Sequence, residues 1–366
     1  MAKFADVLTI VNGKNQKKVE NPNGKYPIYG SGGIMGYADD YICEAETVII
    51  GRKGSINDPI FVETPFWNVD TAFGLHADHS KLFPKYLYYF CVNYDFERLN
   101  TTVTIPSLTK ANLLNIEIPL PPLAEQHRIA ALLDKVSDLI AKRRAQLDKL
   151  DLLVKARFVE MFGDPETNPM NWPIVGIGAI TKTIDSGWSG NGTQREKKAG
   201  EIAVLKVSAV TKGYFIPEEC KVLDDQGNIK KYVFPQKGDL LFSRANTKEM
   251  VGATAIIRED YPELILPDKL WKIRFSDITN VVYMKYILSS KTIRNKFSAA
   301  STGTSGSMYN VSMEKFKAIQ IPMPEISIQN QFASFVESVE KSKLTIQQSL
   351  DKLEILKKAL MQQYFG

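Results

Sequence analysis

The feature that most constrains this chain is a long repeat at one fixed offset. Residues 116–163 return as residues 319–366 without a gap: Ile118-Pro119 matches Ile321-Pro322, and Phe162-Gly163 matches Phe365-Gly366, each 203 residues later. A repeat this far apart is typical of duplicated domains and excludes a solenoid of short repeats. The sequence therefore predicts two related halves, each ending in the same kind of segment.

Each copy of the repeat contains the pattern of a long helix. The first is predicted to run from about Ala124 to Phe162, because prolines at 119, 121 and 122 do not fit a helix interior. Its apolar residues follow alternating steps of three and four, which is the pattern of a coiled-coil seam. They are Ile129, Leu133, Val136, Ile140, Leu147, Leu150, Val154 and Met161.

Polar residues interrupt both seams at different places. Arg143 and Arg157 interrupt the first, and the matching residues of the second copy are Ile346 and Leu360. Because each seam is incomplete alone, we expect the two helices to pair with each other, antiparallel. The alternative is that each helix packs only on its own globular domain.

The repeat divides the chain into four segments. We expect globular domains at residues 1–115 and 164–318, and long spacer helices at residues 116–163 and 319–366. The predicted fold class is α+β, with two mixed α/β domains in a pseudo-two-fold arrangement, separated by two long antiparallel coiled-coil helices.

The two globular domains match loosely and in the same order. Residues 47–52 correspond to residues 239–244. The first segment has the β-branched pattern of a strand and ends in Arg52, and the second ends in Arg244. Residues 86–89 answer residues 283–286, and both segments are predicted to be helical; residues 291–297 are expected to continue the second helix. The globular parts have diverged more than the helices, which suggests that each globular part reads something different.

Composition favours a polyanion-binding protein of the cytoplasm. Lys and Arg exceed Asp and Glu by 21 to 15 over residues 170–315, whereas residues 1–115 carry 11 against 12. No apolar run is long enough to cross a membrane, and the first residues lack the core of a signal peptide. Three separated cysteines argue against a disulfide framework and fit a reducing compartment.

The motifs of common catalytic sites are absent from the sequence. It has no phosphate-binding loop, no Gly-x-Ser-x-Gly, no His-Glu-x-x-His and no Asn-Pro-Pro-aromatic segment. His76 and His79 could bind a metal, but no cysteine lies near them, so a structural role is favoured. Asp268 stands in part of a nuclease-like pattern, although a lone acidic residue is weak evidence. The sequence offers binding surfaces and no convincing catalytic group.

Nearly the whole chain resembles one family. A globular domain, the segment 116–128 with Glu125-Gln126, a long helix ending near Phe-Gly, and a second copy of all three are similar to the specificity subunit of type I restriction–modification systems. Residues 26–37 and 237–244 add to the resemblance. The second copy departs from the pattern, because Ile328 replaces Glu125.

The resemblance implies that the globular parts are target recognition domains, each reading half of a bipartite double-stranded DNA sequence. The helices would act as a ruler for the spacer and as a docking site for two methyltransferase subunits, and restriction–translocase subunits would join in a host-defence complex. The subunit itself would bind no cofactor; S-adenosylmethionine, ATP and Mg²⁺ would serve its partners, which would methylate adenines after base flipping.

Polar loop residues are the candidate DNA contacts, because phosphate contacts position a protein and base contacts specify. An arginine can read guanine with two hydrogen bonds, and Asn246 can read adenine. A solvated surface role is the alternative for each of them. The candidates are Ser31, Arg52, Lys53, Ser55, Arg98, Thr101, Thr102 and Thr104 in the first domain, and Ser243, Arg244, Asn246, Lys248, Arg294, Lys296, Thr302, Thr304 and Ser305 in the second.

Two other function classes remain open from the sequence. One is a stand-alone DNA methyltransferase or nuclease, which the missing motifs disfavour. The other is a coiled-coil adaptor that binds only proteins. Salt-dependent binding to duplex DNA separates the adaptor from the DNA reader, because phosphate contacts give a steep salt dependence.

Overall fold

The computed structural model describes residues 1–99, 107–303 and 309–366, and it divides the chain into two compact units. Unit 1 comprises Met1–Leu147 with Thr345–Gly366, and unit 2 comprises Asp148–Leu344. Two helices of 40 residues each contribute one part to each unit. The division into four segments therefore stays a prediction, because the compact units cut both helices near their middle.

Unit 1 is built on two small sheets and a two-stranded ribbon. Its strands are β1 (Ala2–Lys3), β2 (Leu8–Asn12), β3 (Tyr26–Gly30), β4 (Gly33–Ala38), β5 (Thr47–Gly51), β6 (Ile60–Val62), β7 (Trp67–Asn68), β8 (Ala72–Ala77) and β9 (Glu117–Ile118). Its helices are α1 (Phe4–Val7), α2 (Pro84–Asn93), α3 (Lys110–Leu114), the first part of α4 (Leu123–Phe162) and the second part of α8 (Ile326–Phe365). A 3₁₀ turn covers Phe96–Leu99.

The main core of unit 1 lies between its larger sheet and the helices of the unit. The larger sheet has the order β2-β8-β5-β6 and is antiparallel throughout. The smaller has the order β4-β3-β7, with β3 and β7 parallel, and β1 pairs with β9. β5 is buried along its whole length, as its β-branched residues predict, and Tyr86 and Phe90 of α2 share its core.

Unit 2 has thirteen strands among the described residues. They are β10 (Ile174–Gly176), β11 (Thr181–Ser186), β12 (Gly192–Thr193), β13 (Ala203–Leu205), β14 (Cys220–Leu223), β15 (Leu240–Ser243), β16 (Ala245–Asn246), β17 (Thr254–Ile256), β18 (Leu264–Ile265), β19 (Leu270–Phe275), β20 (Thr302–Gly303), β21 (Tyr309–Asn310) and β22 (Gln320–Pro322). Its helices are α5 (Val281–Ser289), α6 (Lys291–Ala300), α7 (Met313–Ala318), the second part of α4 and the first part of α8 (Ile326–Phe365). Two 3₁₀ turns cover Ile177–Ile180 and Val207–Val210.

The two units repeat one topology. The order β11-β19-β15-β17 in unit 2 corresponds to β2-β8-β5-β6 in unit 1, and β14-β13-β18 corresponds to β4-β3-β7, again with one parallel pair. β10 pairs with β22 as β1 pairs with β9. The predicted match between residues 47–52 and 239–244 is confirmed, because both strands occupy the same place in their sheets. Unit 2 adds β12 and the small sheet β16-β21-β20.

One helix prediction was wrong in unit 2. Residues 291–297 do not continue α5, because the backbone at Ser290 is extended, with ψ of 146°. The hydroxyl of Ser290 instead accepts a hydrogen bond from the N–H of Ile293 at 3.4 Å and caps a separate helix, α6. Serine favours this capping role over a place inside a helix.

In each unit, one part of α4 packs antiparallel to one part of α8. In unit 1, Arg144 forms an ion pair with Glu354 at 2.6 Å. Arg128 of α4 forms hydrogen bonds with Glu125 of the same helix and with Tyr364 of α8. Both bonds raise the pKa of Arg128, and the bond with Glu125 contributes more. In unit 2, Lys343 binds Asp151 at 2.8 Å. The predicted antiparallel pairing is therefore present inside each unit, and the helices also pack on the sheets' cores.

The buried face of the helices differs from the predicted seam near the end of α4. Met161 is only partly buried, and Phe158 and Phe162 lie in the core of unit 2 with Phe332. From Val154 onward the buried residues follow steps of four, Val154, Phe158 and Phe162, instead of alternating steps of three and four. The buried face is therefore wider, and the helix packs on a domain core as well as on the other helix. Met361, which matches Phe158 in the repeat, is buried in the same way in unit 1.

A fully buried glutamine near the start of each long helix binds the backbone of the unit in which that helix begins. In unit 1, the Gln126 amide accepts a hydrogen bond from the N–H of Phe83 at 2.8 Å and donates to the carbonyls of Lys81 and Pro121 at 2.9 and 2.8 Å. A neighbouring bond joins the Tyr86 hydroxyl to the Pro119 carbonyl at 3.0 Å.

Unit 2 repeats this arrangement at equivalent positions. The Gln329 amide accepts from Asn280 N–H at 2.8 Å and donates to the carbonyls of Ile278 and Pro324 at 3.2 and 2.7 Å. The Tyr283 hydroxyl donates to Pro322. Replacement of Glu125 by Ile328 leaves this set intact: Glu125 binds Arg128 on the surface, whereas Ile328 packs on the core.

Substitution of Gln126 by alanine is expected to destabilise the protein by about 1–3 kcal/mol, because it removes three hydrogen bonds to partly buried backbone groups, one N–H and two carbonyls. The same holds for Gln329→Ala. Urea unfolding followed by circular dichroism measures the change. Gln146→Ala is the matched control, because Gln146 is an exposed residue of the same helix. A Gln126→Ala midpoint equal to that of Gln146→Ala would contradict the assignment.

Candidate nucleic-acid interface

Arg52 stands at the end of the central strand β5 of unit 1, and its backbone is held from two sides. Its N–H donates to the carbonyl of Thr71 at 2.7 Å, and its own carbonyl accepts from Leu108 N–H at 3.0 Å. The guanidinium carbon lies 5.9 Å from the ring centre of Phe73. A side chain that is exposed but fixed at its base and stacked on a ring is suited to directed contacts.

Arg244 occupies the equivalent position in unit 2, after β15. Its N–H donates to the carbonyl of Lys269 at 3.1 Å, and its carbonyl accepts from Val311 N–H at 2.9 Å. Val311 matches Leu108 at the repeat offset of 203 residues. The guanidinium carbon lies 6.0 Å from the centre of the Trp271 ring, and its Nε donates to the carbonyl of Asp268 at 3.0 Å.

The two aromatic partners are also equivalent. Phe73 pairs with Ile50 across β8 and β5, and Trp271 pairs with Phe242 across β19 and β15. Ile50 and Phe242 each lie two residues before the arginine of their unit. Sequence reasoning did not identify these rings, because the register between strands distant in sequence is not readable from either strand alone. An aromatic residue opposite the end of each central strand is the pattern that would have found them.

The structure brings four candidates of unit 1 together around the end of β5. Arg52, Lys53 and Ser55 follow the strand and are exposed. Ser31 lies in the turn between β3 and β4, and its Cβ is 3.1 Å from the place where a Cβ on Gly51 would stand. These residues therefore form one small surface, which we call the β5 loop surface.

Arg98 joins this surface less directly. It lies in a 3₁₀ turn, is exposed and pairs with Asp95 at 3.3 Å. Asn57 connects the turn to the chain that follows the β5 loop, because its side-chain oxygen accepts from Phe96 N–H at 2.9 Å. The candidates Thr101, Thr102 and Thr104 lie outside the described residues, as do Thr304 and Ser305 of the second set.

Ser243 is fully buried, which does not fit direct contact with DNA in this conformation. Its hydroxyl instead accepts a hydrogen bond from the Asn246 amide at 3.4 Å and so supports that side chain. Asn246 is half-buried in β16, which pairs with β21. The backbone of Thr302 lies in β20 of the same small sheet. The structure thus brings these three residues together.

The loop after β16 is held by α6. The guanidinium of Arg294 donates to the carbonyl of Glu249, and the Ser298 hydroxyl donates to the carbonyl of Lys248 at 3.0 Å. Burial lowers the pKa of Arg294. Arg294 therefore supports the loop, whereas the Lys248 and Lys296 side chains are exposed and available to a polyanion.

Asp268 lies beside Arg244 and carries a lowered pKa. Partial burial alone would raise the pKa of its carboxyl, but the hydrogen bond from Ser189 and the charges of Lys269 and Arg244 outweigh that effect. The Asp268 carboxylate is thus bound by a hydroxyl donor and two cations. These contacts, with Ser189, Lys269 and Arg244, include no second acidic residue, which a nuclease site would need beside Asp268.

The described residues contain no group of three or more His, Cys, Asp or Glu side chains arranged to hold a metal ion. His76 shares a hydrogen bond of 3.0 Å with the hydroxyl of Thr47, and the rings of His76 and His79 are 5.4 Å apart. Among the residues that the structure describes, no helix is apolar over a length that would span a bilayer.

Comparison with known proteins gives a consistent result. A family model described as the type I restriction modification DNA specificity domain matches residues 1–150 and 171–355. The chain is 26% identical to the type I restriction enzyme specificity subunit S.HindORF215P of Haemophilus influenzae, over 97% of this chain and 93% of that protein. It is 27% identical to the EcoEI specificity subunit of Escherichia coli, over 55% of this chain and 35% of that subunit.

The fold is also found among solved structures. The S subunit of a type I restriction–modification system from M. genitalium superposes with a TM-score of 0.62 over 100% of this chain and 95% of that chain, at 15% identity. At this identity the match bears on the fold, and it agrees with the mixed α/β units and long helices described above.

Proposed function

The chain belongs to the type I restriction–modification DNA specificity family, and from this premise we propose that its two units each read one half of a bipartite double-stranded DNA target. The observation that carries the proposal is the equivalence of Arg52 and Arg244. Each is fixed by two backbone hydrogen bonds and stacked on an aromatic ring at the same place in its unit.

A fixed arginine suits base recognition for a physical reason. Its planar guanidinium matches the O6 and N7 acceptors of guanine, and less side-chain entropy is lost on binding when the base of the side chain is already held. The basic residues of unit 2 add a general attraction for phosphates. Residues 1–115 have no such excess of basic residues, so DNA binding by unit 1 depends more on the local pair Arg52 and Lys53.

The long helices are proposed to dock two methyltransferase subunits. Adjacent apolar residues lie exposed on α4 of unit 2, Leu152 and Leu153, and on α8 of unit 1, Ile355 and Leu356. The two pairs match at the repeat offset of 203 residues. Exposed apolar pairs at equivalent positions support binding of two copies of one partner, since such patches on helices are typical of interaction sites.

The chemistry is assigned to the partners. We propose that the methyltransferase subunits use S-adenosylmethionine, that restriction–translocase subunits join through them with ATP and Mg²⁺, and that the chain itself carries out no reaction. The complex would act in the cytoplasm, and the length of the helices would set the spacer between half-sites. A protein-only coiled-coil adaptor and a stand-alone methyltransferase or nuclease are the alternatives. The DNA-binding measurements below separate the adaptor from this proposal, and a methylation assay on the purified chain without partners separates the stand-alone methyltransferase.

We expect Arg52→Gln to weaken binding of the complex with its methyltransferase to its preferred duplex by about 1–3 kcal/mol, and to relax discrimination in one half-site only. Arg244→Gln should do the same in the other half-site. Fluorescence anisotropy with duplexes changed at single base pairs measures both effects.

The control for these substitutions is Arg195→Gln. Arg195 is an exposed arginine of unit 2 that pairs with Glu201 at 2.7 Å and is not a candidate contact. Its removal tests for a general effect of charge. The proposal fails if the wild-type complex binds no duplex at low salt, or if Arg52→Gln and Arg244→Gln alter the same half-site.

Docking predicts a change in stoichiometry. The double substitution Leu152→Ser with Leu153→Ser is expected to remove one methyltransferase subunit from the complex at sub-micromolar concentration, and Ile355→Ser with Leu356→Ser to remove the other, because each removes apolar area from one site. Mass photometry reports the number of subunits bound. Leu344→Ser is the matched control, since Leu344 is 62% exposed and its repeat partner is Ala141. Full occupancy in all variants would refute the assignment of these sites.

A further inference from the structure

The hairpin formed by β3 and β4 in unit 1 carries an irregularity at its tip. The turn Ser31-Gly32 joins Gly30 and Gly33, which pair with each other. Tyr29 then pairs with Ile34, but Ile28 pairs with Gly36, so Met35 is an extra residue and the strand contains a β-bulge. Bulges bend a strand and change the direction of its side chains, and they are frequent beside functional sites.

The bulge places two large apolar side chains in solvent. Ile34 is 56% exposed and Met35 is 62% exposed. The Met35 sulfur lies 2.7 Å from the place where a Cβ on Gly30 would stand, so the Met35 side chain extends over the backbone of Gly30. β4 is an edge strand of its sheet, where exposed apolar residues favour unwanted pairing. A use in binding accounts for two exposed apolar side chains at such a place.

The hairpin tip is next to the β5 loop surface. Ser31 of the turn approaches Gly51, as described above, and the residue after Gly51 is Arg52. The apolar tip and two exposed cations, Arg52 and Lys53, therefore face solvent from neighbouring loops. Cations that bind phosphate or guanine beside an apolar pair form a surface complementary to a DNA groove, where charged backbone borders apolar base edges.

We propose that Ile34 and Met35 enter the major groove of the half-site read by unit 1 and pack against the methyl groups of thymine bases. The proposal rests on the DNA-reading function proposed above and adds two specificity residues to it. A two-stranded ribbon fits the major groove, and thymine is the base that presents a methyl group there.

Unit 2 lacks the same device. Its strands β13 and β14 correspond to β3 and β4, but residues 206–219 join them in place of a two-residue turn. The contact proposed for Ile34 and Met35 therefore has no equivalent two-residue hairpin in unit 2.

The test uses the complex with its methyltransferase and a duplex that carries its target, identified from the adenines it methylates. Thymines are replaced one at a time by uracil, which lacks the methyl group. At one or more positions in the half-site that Arg52→Gln relaxes, uracil should weaken binding by the wild-type complex about fourfold, the equivalent of one methyl contact. The double substitution Ile34→Ser with Met35→Ser should weaken binding of the thymine duplex by about tenfold and abolish sensitivity to uracil.

Two further measurements complete the test. The salt dependence of binding should be the same in the double variant, because no charge is removed. Ile278→Ser is the control for loss of an exposed apolar side chain, since Ile278 is 58% exposed and lies in unit 2 just before α5.

The proposal is overturned if no uracil weakens wild-type binding, or if the double variant keeps the wild-type sensitivity to uracil. Both results are distinct from failure of the DNA-reading function, in which the wild-type complex binds no duplex at all.

Discussion

The attachment of each long helix by a buried glutamine is the interaction on which the rest of the structure depends. Gln126 and Gln329 each lie near the start of a long helix and form three hydrogen bonds with the backbone. One of these bonds is with the proline-rich segment before the long helix, and two are with the chain that precedes a shorter helix. Buried amides that are fully paired fix geometry, because any displacement leaves polar groups without partners. The direction of each helix is thereby coupled to the sheet that carries the candidate interface.

On this shared arrangement the two units differ where they face solvent. The strand orders, the glutamine contacts and the arginine after the central strand are the same, and the loops around that arginine are not. Unit 1 has a short hairpin with an apolar bulge, and unit 2 has the small sheet β16-β21-β20 and a loop held by α6. A constant scaffold with divergent loops suits a protein whose halves recognise different sequences by one geometry.

The sequence was sufficient for the elements with strong periodicity and for the equivalence of the halves. The long helix begins at Leu123, one residue before the predicted start, because the prolines limit it. Arg52 and Arg244 could be matched because both follow a run of apolar residues. The separate helix α6 was missed because a serine cap resembles an ordinary helical serine until its hydrogen bond is seen. Phe158 was missed because it packs on a domain core that the helix pattern does not contain. The burial of Ser243 and the stacking of Trp271 depend on pairing between distant strands, which no local pattern specifies.

We propose that this chain directs methylation to a DNA sequence made of two separately read halves. The most direct measurement is single-molecule sequencing of methylated adenines in cells that produce the methyltransferase partner with and without this chain. Methylation that depends on the chain should map to one motif with two defined halves and a spacer of fixed length and unspecified sequence. Absence of chain-dependent methylation, or a single uninterrupted motif, would contradict the claim.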